Sequence, residues 1–259
     1  MMNRSLLLGL MLLATSVAQA ANPGVPLEVQ AEDGTPIPVL VLEPEGGAAN
    51  PPVALLLHGL TRNKEDWLAD KEPTFGGALT EHLRTAGYRI YLMDARRHGA
   101  RLTPDEKPGA ILKRSRAGDS APYQAMIVDT VRDARTLLAK VLATNKKPPR
   151  VLVAGYSMGA QVALLMASRE PRVTHLVTMV PPYVDPVLGD AAPVTRMSGI
   201  QQRWLLLTAN QDPFSTEENN KQLFEAAPSK HKTRKTFDSG HALPRDYLEE
   251  VRRWLGEAR

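Results

Sequence analysis

The chain has 259 residues, 32 Lys and Arg against 28 Asp and Glu for a formal charge of +4, 43% hydrophobic residues and no cysteine. A chain of this length buries roughly three quarters of its unfolded surface in one large core, so disorder, fibrous repeats and disulfide scaffolds are excluded, as are thiol nucleophiles and thiolate zinc sites. The basic residues, including Lys146-Lys147 and the run from Lys230 to Lys235, are scattered among acidic ones, which argues against nucleic acid as a partner.

Residues 1–20 read as a secretory signal. Arg4 is the only charge before Glu28, an apolar run from Leu6 to Leu13 follows it, and Ala18-Gln19-Ala20 has the small-x-small form of a cleavage site. The apolar stretch is shorter than the about 20 residues of a membrane span, so the expectation is cleavage and export to the periplasm or medium, with no stable membrane insertion. Residues 21–259 then form a single domain.

Leu27 to Ala31 and Ile37 to Leu42 are β-prone runs joined by Asp33-Gly34, a hairpin turn signal. Pro36 and Pro38 have no N–H to give, which puts the start of the second run at an edge or bulge. Beyond Pro52 the pattern changes to continuous apolar runs separated by helical periodicity, as expected of strands buried on both faces of a parallel sheet. Strands are expected at Val53 to Leu57, Arg89 to Met93, Arg150 to Ala154, Val173 to Val180, Arg203 to Thr208 and Lys232 to Phe237. Helices are expected at Thr74 to Thr85, Tyr123 to Leu142, Met158 to Ser168, Thr216 to Ala226 and Arg245 to Glu257. In the second helix, Ile127, Val131, Ala134, Leu138 and Val141 share one face, while Asp129, Arg132, Asp133 and Arg135 lie on others. The fold class is α/β, with an eight-stranded, mostly parallel sheet carrying helices on both faces. Ala95 to Ser120 shows no convincing strand or helix, and Pro181 to Gln202 has room only for short helices. Both follow carboxyl ends of strands, where open α/β sheets bind their ligands.

The run Gly155-Tyr156-Ser157-Met158-Gly159 lies between a buried strand and an apolar helix. A serine on such a turn is exposed at the sheet edge, its neighbours two residues away must be small, and the helix start presents free N–H groups to negative charge. Ser157 is therefore the candidate nucleophile. Its hydroxyl needs a base, and His241 lies in the last strand-to-helix loop, at the correct sheet edge. His82 and His175 fall inside elements, His231 in a charged surface run, and His58 and His98 each precede a glycine in a turn. The base needs a carboxylate to orient it. Asp212 follows the penultimate strand, giving the chain order nucleophile, acid, base. Asp185 and Asp190 sit in the proline-rich segment, and Asp238 crowds the histidine. Two backbone N–H groups, from Leu60 in His58-Gly59-Leu60-Thr61 and from Met158, are the expected oxyanion donors, with Thr61 as substitute for Leu60. One such donor contributes about 3 to 4 kcal/mol to the transition state.

With these residues the chain resembles the α/β-hydrolase superfamily over about Leu27 to Glu257. The resemblance rests on the Gly155 to Gly159 motif, His58-Gly59, Asp212 and Ser239-Gly240-His241. Asp94 to Gly99 is also similar to the superfamily's D-x-R-G-H-G turn, with Arg97 where glycine is usual. It is most similar to the capless esterase and dienelactone-hydrolase-like branches, the latter often using cysteine where this chain has Ser157. The resemblance implies acyl transfer from an ester, thioester or amide to water through an acyl-serine, without metal or organic cofactor, on a small-molecule ester in an open site. The loop from Ala95 to Ser120 holds seven Lys and Arg against three Asp and Glu, and Arg96, Arg97 or Arg101 could attract an anionic substrate. Competing readings are a peptidase or amidase similar to the catalytic domain of prolyl oligopeptidases, and a secreted binding protein that has lost activity on the same fold.

Overall fold

The computed structural model describes residues 24–144 and 147–257, so the segment read as an export signal lies outside the described residues. Eight strands, Val25–Gln30 (β1), Pro36–Leu42 (β2), Val53–Leu57 (β3), Arg89–Met93 (β4), Val151–Tyr156 (β5), His175–Met179 (β6), Arg203–Ala209 (β7) and Lys232–Phe237 (β8), form one sheet in the order β1-β2-β4-β3-β5-β6-β7-β8. β2 runs antiparallel to β1 and β4, and every other pairing is parallel. This is the mostly parallel α/β sheet that the apolar runs predict.

The opening hairpin turns at Asp33-Gly34. Gly34 supplies the positive φ of 79°, and the Asp33 carboxylate accepts the Thr35 N–H at 3.0 Å. Pro36 and Pro38 pair only with β1, because the register with β4 begins at Val39 opposite Met93. Pro38 turns its carbonyl toward the β4 side, where it accepts the Asp94 N–H at 3.1 Å. Its missing N–H therefore falls where no ladder bond is needed.

Six helices, Gly76–Thr85 (α1), Pro108–Arg116 (α2), Ala121–Thr144 (α3), Met158–Ala167 (α4), Glu217–Glu225 (α5) and Tyr247–Glu257 (α6), cover the sheet. The five apolar residues of β3 divide by period two. Val53, Leu55 and Leu57 pack with α3 and α4, and Ala54 and Leu56 pack with α1 and α6. Burial on both faces is why the run is continuously apolar. Among the described residues no helix is long and apolar enough to cross a membrane.

Between Pro181 and Gln202 only the short 3₁₀ segments Pro186–Ala191 and Pro193–Gly199 form, as the prolines lead one to expect. Two features depart from the sequence-based expectation. The segment 95–120 is not irregular throughout: it contains a short turn of helix at Gly99–Arg101 and all of α2, which begins with Pro108 in its first turn. Second, Asp133 leaves the polar side of α3 for the interior. It is 1% exposed, and its carboxylate takes Nε of Arg96 at 2.6 Å and NH1 of Arg101 at 2.7 Å. Two guanidiniums compensate its desolvation and fasten the loop after β4 to α3.

Removing that carboxylate leaves Arg101 without an ion pair and Arg96 with only the exposed Asp33. Asp133→Ala is expected to lower the unfolding free energy by about 3 kcal/mol, read as a lower urea midpoint at unchanged m.

Candidate active site

The centre of the site is the turn from β5 into α4. β5 is buried along its whole length, with Leu57 of β3 opposite Gly155 in register. A Cβ on Gly155 would overlap the Gly159 carbonyl, and one on Gly159 would overlap the Leu57 carbonyl. The two glycines thus let the first turn of α4 lie directly against the ends of β3 and β5. Ser157 is left between them at φ 55°, ψ −119°, a strained region for a residue with a side chain. Its N–H is held by the Met179 carbonyl at 2.9 Å.

The loops after β7 and β8 bring Asp212 and His241 to this serine. His241 Nε2 lies 2.8 Å from Ser157 Oγ, and His241 Nδ1 lies 2.9 Å from Asp212 Oδ2. The second Asp212 oxygen accepts the Phe214 N–H at 2.9 Å. Its partners make the carboxylate an acceptor, so Nδ1 carries the proton and Nε2 faces the hydroxyl as the acceptor. The Asp212 side chain is 2% exposed and the imidazole 21%. Phe214 packs edge-on against the imidazole at 4.7 Å between centroids. The structure brings together the three side chains that the chain order singles out.

Two further residues hold this geometry. Asp238 accepts Nδ2 of Asn210 and Nε2 of Gln211, both at 2.9 Å, and ties the two loops edge to edge; those amides keep its carboxyl below the usual range. Tyr156, one residue before the serine, donates its hydroxyl to the His241 carbonyl at 2.9 Å and accepts the Leu243 N–H at 2.9 Å. The strand that carries the serine therefore also anchors the histidine's backbone. The second position of G-x-S-x-G carries no such signal in sequence, because its partner lies 85 residues away.

The parallel register of β3 with β5 sets the loop His58 to Thr61 beside Ser157. Among the described residues, the amides of Leu60 and Met158 meet no acceptor from the protein, and Leu60 and Met158 both border the same cavity as Ser157. Thr61, the substitute donor, is held at φ 63°. His58 lies behind this loop: Nδ1–H donates to the Gly59 carbonyl at 2.9 Å, and Nε2 accepts the Ala95 N–H at 3.1 Å. His98 donates Nδ1–H to the Arg96 carbonyl at 2.8 Å and stacks obliquely on His58. The buried Asp94 carboxylate receives the Lys64 N–H and Nζ at 2.9 Å each and the Ala100 N–H at 3.0 Å. A Cβ at Gly99 would overlap this carboxylate. Arg97, standing where the resembled turn has glycine, takes φ 64°, so the turn is kept at the cost of strain. His58 and His98 thus brace turns, and Asp185, which accepts the Val187 N–H, and Asp190, paired with Arg169 and Arg196, serve the 186–199 segment. His82 lies in α1, His175 in β6 beside Trp254, and neither approaches the serine's partners.

A cavity of about 650 Å³ opens at Ser157 and His241. One wall is Leu112, Ser115 and Arg116 of α2 with Tyr123 of α3, and the other is Pro182 to Leu188 with Phe214. Both segments that resist regular periodicity line it. Arg96, Arg97 and Arg101 instead border a separate cavity of about 570 Å³. Arg96 and Arg101 are bound to Asp133, and Arg97 to Glu106, so the three arginines considered from sequence do not face the serine.

A family model described as the alpha/beta hydrolase family matches residues 54–257. Solved structures with the same fold include an esterase of Pyrococcus furiosus, 16% identical with a TM-score of 0.67 over 90% of this chain and 89% of that one. A cold-adapted esterase from an Arctic intertidal metagenomic library is 18% identical, with a TM-score of 0.69 over 90% and 92%. A serine hydrolase without lid from Xanthomonas campestris is 20% identical, with a TM-score of 0.59 over 90% and 92%. No curated protein matches the chain.

Burial pushes His58 below its usual 6.5 and His98 down to about 4. Between about 4 and 6.5 the unfolded chain protonates His98 while the folded one does not, so stability falls as pH drops through that window, by up to about 1.4 kcal/mol per pH unit. Urea midpoints taken between about pH 7 and about pH 5 should show a shallower decline in His98→Gln than in the parent. An equal slope would mean that His98 is already charged in the fold.

Proposed function

The chain belongs to the alpha/beta hydrolase family, and we propose that it is a serine hydrolase that cleaves carboxylic esters through an acyl-serine intermediate. What carries this reading is the unbroken line of contacts from Ser157 Oγ to His241 at 2.8 Å and from His241 to Asp212 at 2.9 Å. The esterase neighbours and the cavity at the serine lend it further support.

In this mechanism His241 Nε2 takes the Ser157 proton as Oγ attacks the ester carbonyl. Asp212 stabilises the imidazolium and fixes the tautomer. The carbonyl oxygen becomes an oxyanion, which the Leu60 and Met158 amides receive, aided by the N-terminal end of α4. Collapse of the adduct breaks the bond to the alcohol oxygen, and His241 returns the proton to that oxygen. Water then enters by the same route, with His241 as base, and releases the acid. The strained Ser157 backbone keeps Oγ at the sheet edge throughout, so little reorganisation is needed at the moment of attack.

A fluorophosphonate probe is expected to label Ser157, to fail with Ser157→Ala and to react far more slowly with His241→Ala. Ester turnover in Ser157→Ala should fall on the order of 10⁵-fold. A protein that binds but does not react would give neither label nor turnover, and an amidase would favour anilides over matched esters. Tyr156→Phe removes the hydroxyl that spans the His241 carbonyl and the Leu243 amide, so kcat should fall about 10-fold with KM nearly unchanged. A fall confined to KM would place Tyr156 in substrate binding instead.

A further inference from the structure

We propose that the cavity beside Ser157 selects esters bearing an anionic group on the part of the molecule that lies against α2, with Arg116 as the partner of that group. This rests on the ester-hydrolase reading and narrows its substrate class.

Apart from His241, only two charged side chains line the cavity, Arg116 and Asp185. Asp185 is engaged locally, accepting the Val187 N–H at 2.9 Å at the head of the 186–191 segment. Arg116 is different. The other arginines of the segment 95–120 are each committed: Arg96 and Arg101 to Asp133, Arg97 to Glu106, and Arg114 to Glu106 and Asp119. Among the described residues the Arg116 side chain makes neither ion pair nor hydrogen bond. Basic residues in the last turn of α2 are favoured by the helix dipole, which accounts for Lys113, Arg114 and Arg116 as a group. The dipole does not account for one of them lining the cavity of the serine with its charge uncompensated. The guanidinium also acts electrostatically on the hydroxyl of Tyr123, another lining residue, so its charge is felt inside the wall.

The rest of the wall defines the remainder of the substrate. Of the five exposed large apolar side chains among the described residues, three, Tyr183, Val187 and Phe214, lie around this cavity. Exposed apolar groups gathered at one opening mark a binding surface. An apolar wall with one cation outside any ion pair on the α2 side, and the Asp185 carboxylate on the opposite wall, matches an amphipathic anion whose charge is held against α2: an alkyl or aryl body with a carboxylate at the far end from the scissile ester. The pair forms at a partly hydrated rim, so the expected gain is modest, about 3- to 10-fold.

The probes are the aryl half-ester of a dicarboxylic acid and the aryl ester of the monocarboxylic acid of equal chain length. The wild-type kcat/KM should favour the half-ester about 3- to 10-fold at low ionic strength, and the preference should shrink as salt is added. It should vanish in Arg116→Gln, return in part in Arg116→Lys, and persist in Lys113→Gln, whose side chain does not border the cavity. Equal turnover of the two esters by the wild type overturns the proposal, and so does a preference that survives Arg116→Gln or is lost equally in Lys113→Gln. Should Arg116→Gln fail to fold, a wild-type preference insensitive to salt is enough to reject it. Hydrolysis of neither ester would instead overturn the ester-hydrolase reading on which the proposal stands.

Discussion

The close approach of α4 to the ends of β3 and β5 is the constraint on which the site depends. It exists because two positions four residues apart have no Cβ: Gly155 lies under the Gly159 carbonyl, and Gly159 lies under that of Leu57. Once those backbones touch, the chain between them has no slack, and Ser157 must take a positive φ. The consequence is chemical as well as geometric. The turn that lifts Oγ out of the sheet is the turn that aims the first amides of α4 at the same point in space, so a nucleophile and an anion site come from one packing event.

Strain of this kind is not confined to the serine. Thr61, Arg97, Ser157 and Val180 all have positive φ, and they follow β3, β4, β5 and β6 in turn. Residues with side chains hold such conformations only where their surroundings over-determine them, at a cost of order 1–3 kcal/mol each. Around Thr61 and Arg97 the surroundings are buried polar groups. Asp94 gathers the Lys64 ammonium and two backbone amides, His58 spans from its own loop to Ala95, and Asp133 holds two guanidiniums. Each of these links one carboxyl-end loop to another element. Such groups add little net stability to a fold but lose much if broken, which is a property suited to holding loops in one arrangement.

What the amino-acid sequence makes legible follows from the range over which its signals act. Val53 to Leu57 and the other apolar runs read as strands because burial on both faces is written into consecutive residues, and the Gly155 to Gly159 spacing reads as a sharp turn because its steric demand is local. α2 is hidden for the converse reason. Only Pro108 and Ile111 of it are fully buried, so its apolar periodicity is short, although Pro108 at its start, basic residues in its last turn and Gly118 beyond its end are boundary signals. The burial of Asp133 could not be inferred from α3, since its partners Arg96 and Arg101 arrive from another loop. The partners of Tyr156 and Asp238 are equally remote, and seven basic residues in one loop look alike until the fold shows which one borders the serine.

This division has a functional logic. The three side chains at the centre stand on turns at the carboxyl ends of β5, β7 and β8, where a shift of one residue would reverse a face of the sheet. The cavity walls, by contrast, include Leu112 and Arg116 of α2 and Tyr183 and Val187 of the segment 181–202, side chains that are partly buried or exposed and so less restrained by packing. Chemistry and selectivity are thus carried by parts of the chain under different physical restraint. A change at Leu112, Arg116 or Val187 alters what can enter without disturbing how Ser157 is held, because none of these residues contributes to the Gly155–Gly159 contact or to the loops after β7 and β8. The charge facing the serine can therefore vary independently of the serine's own geometry.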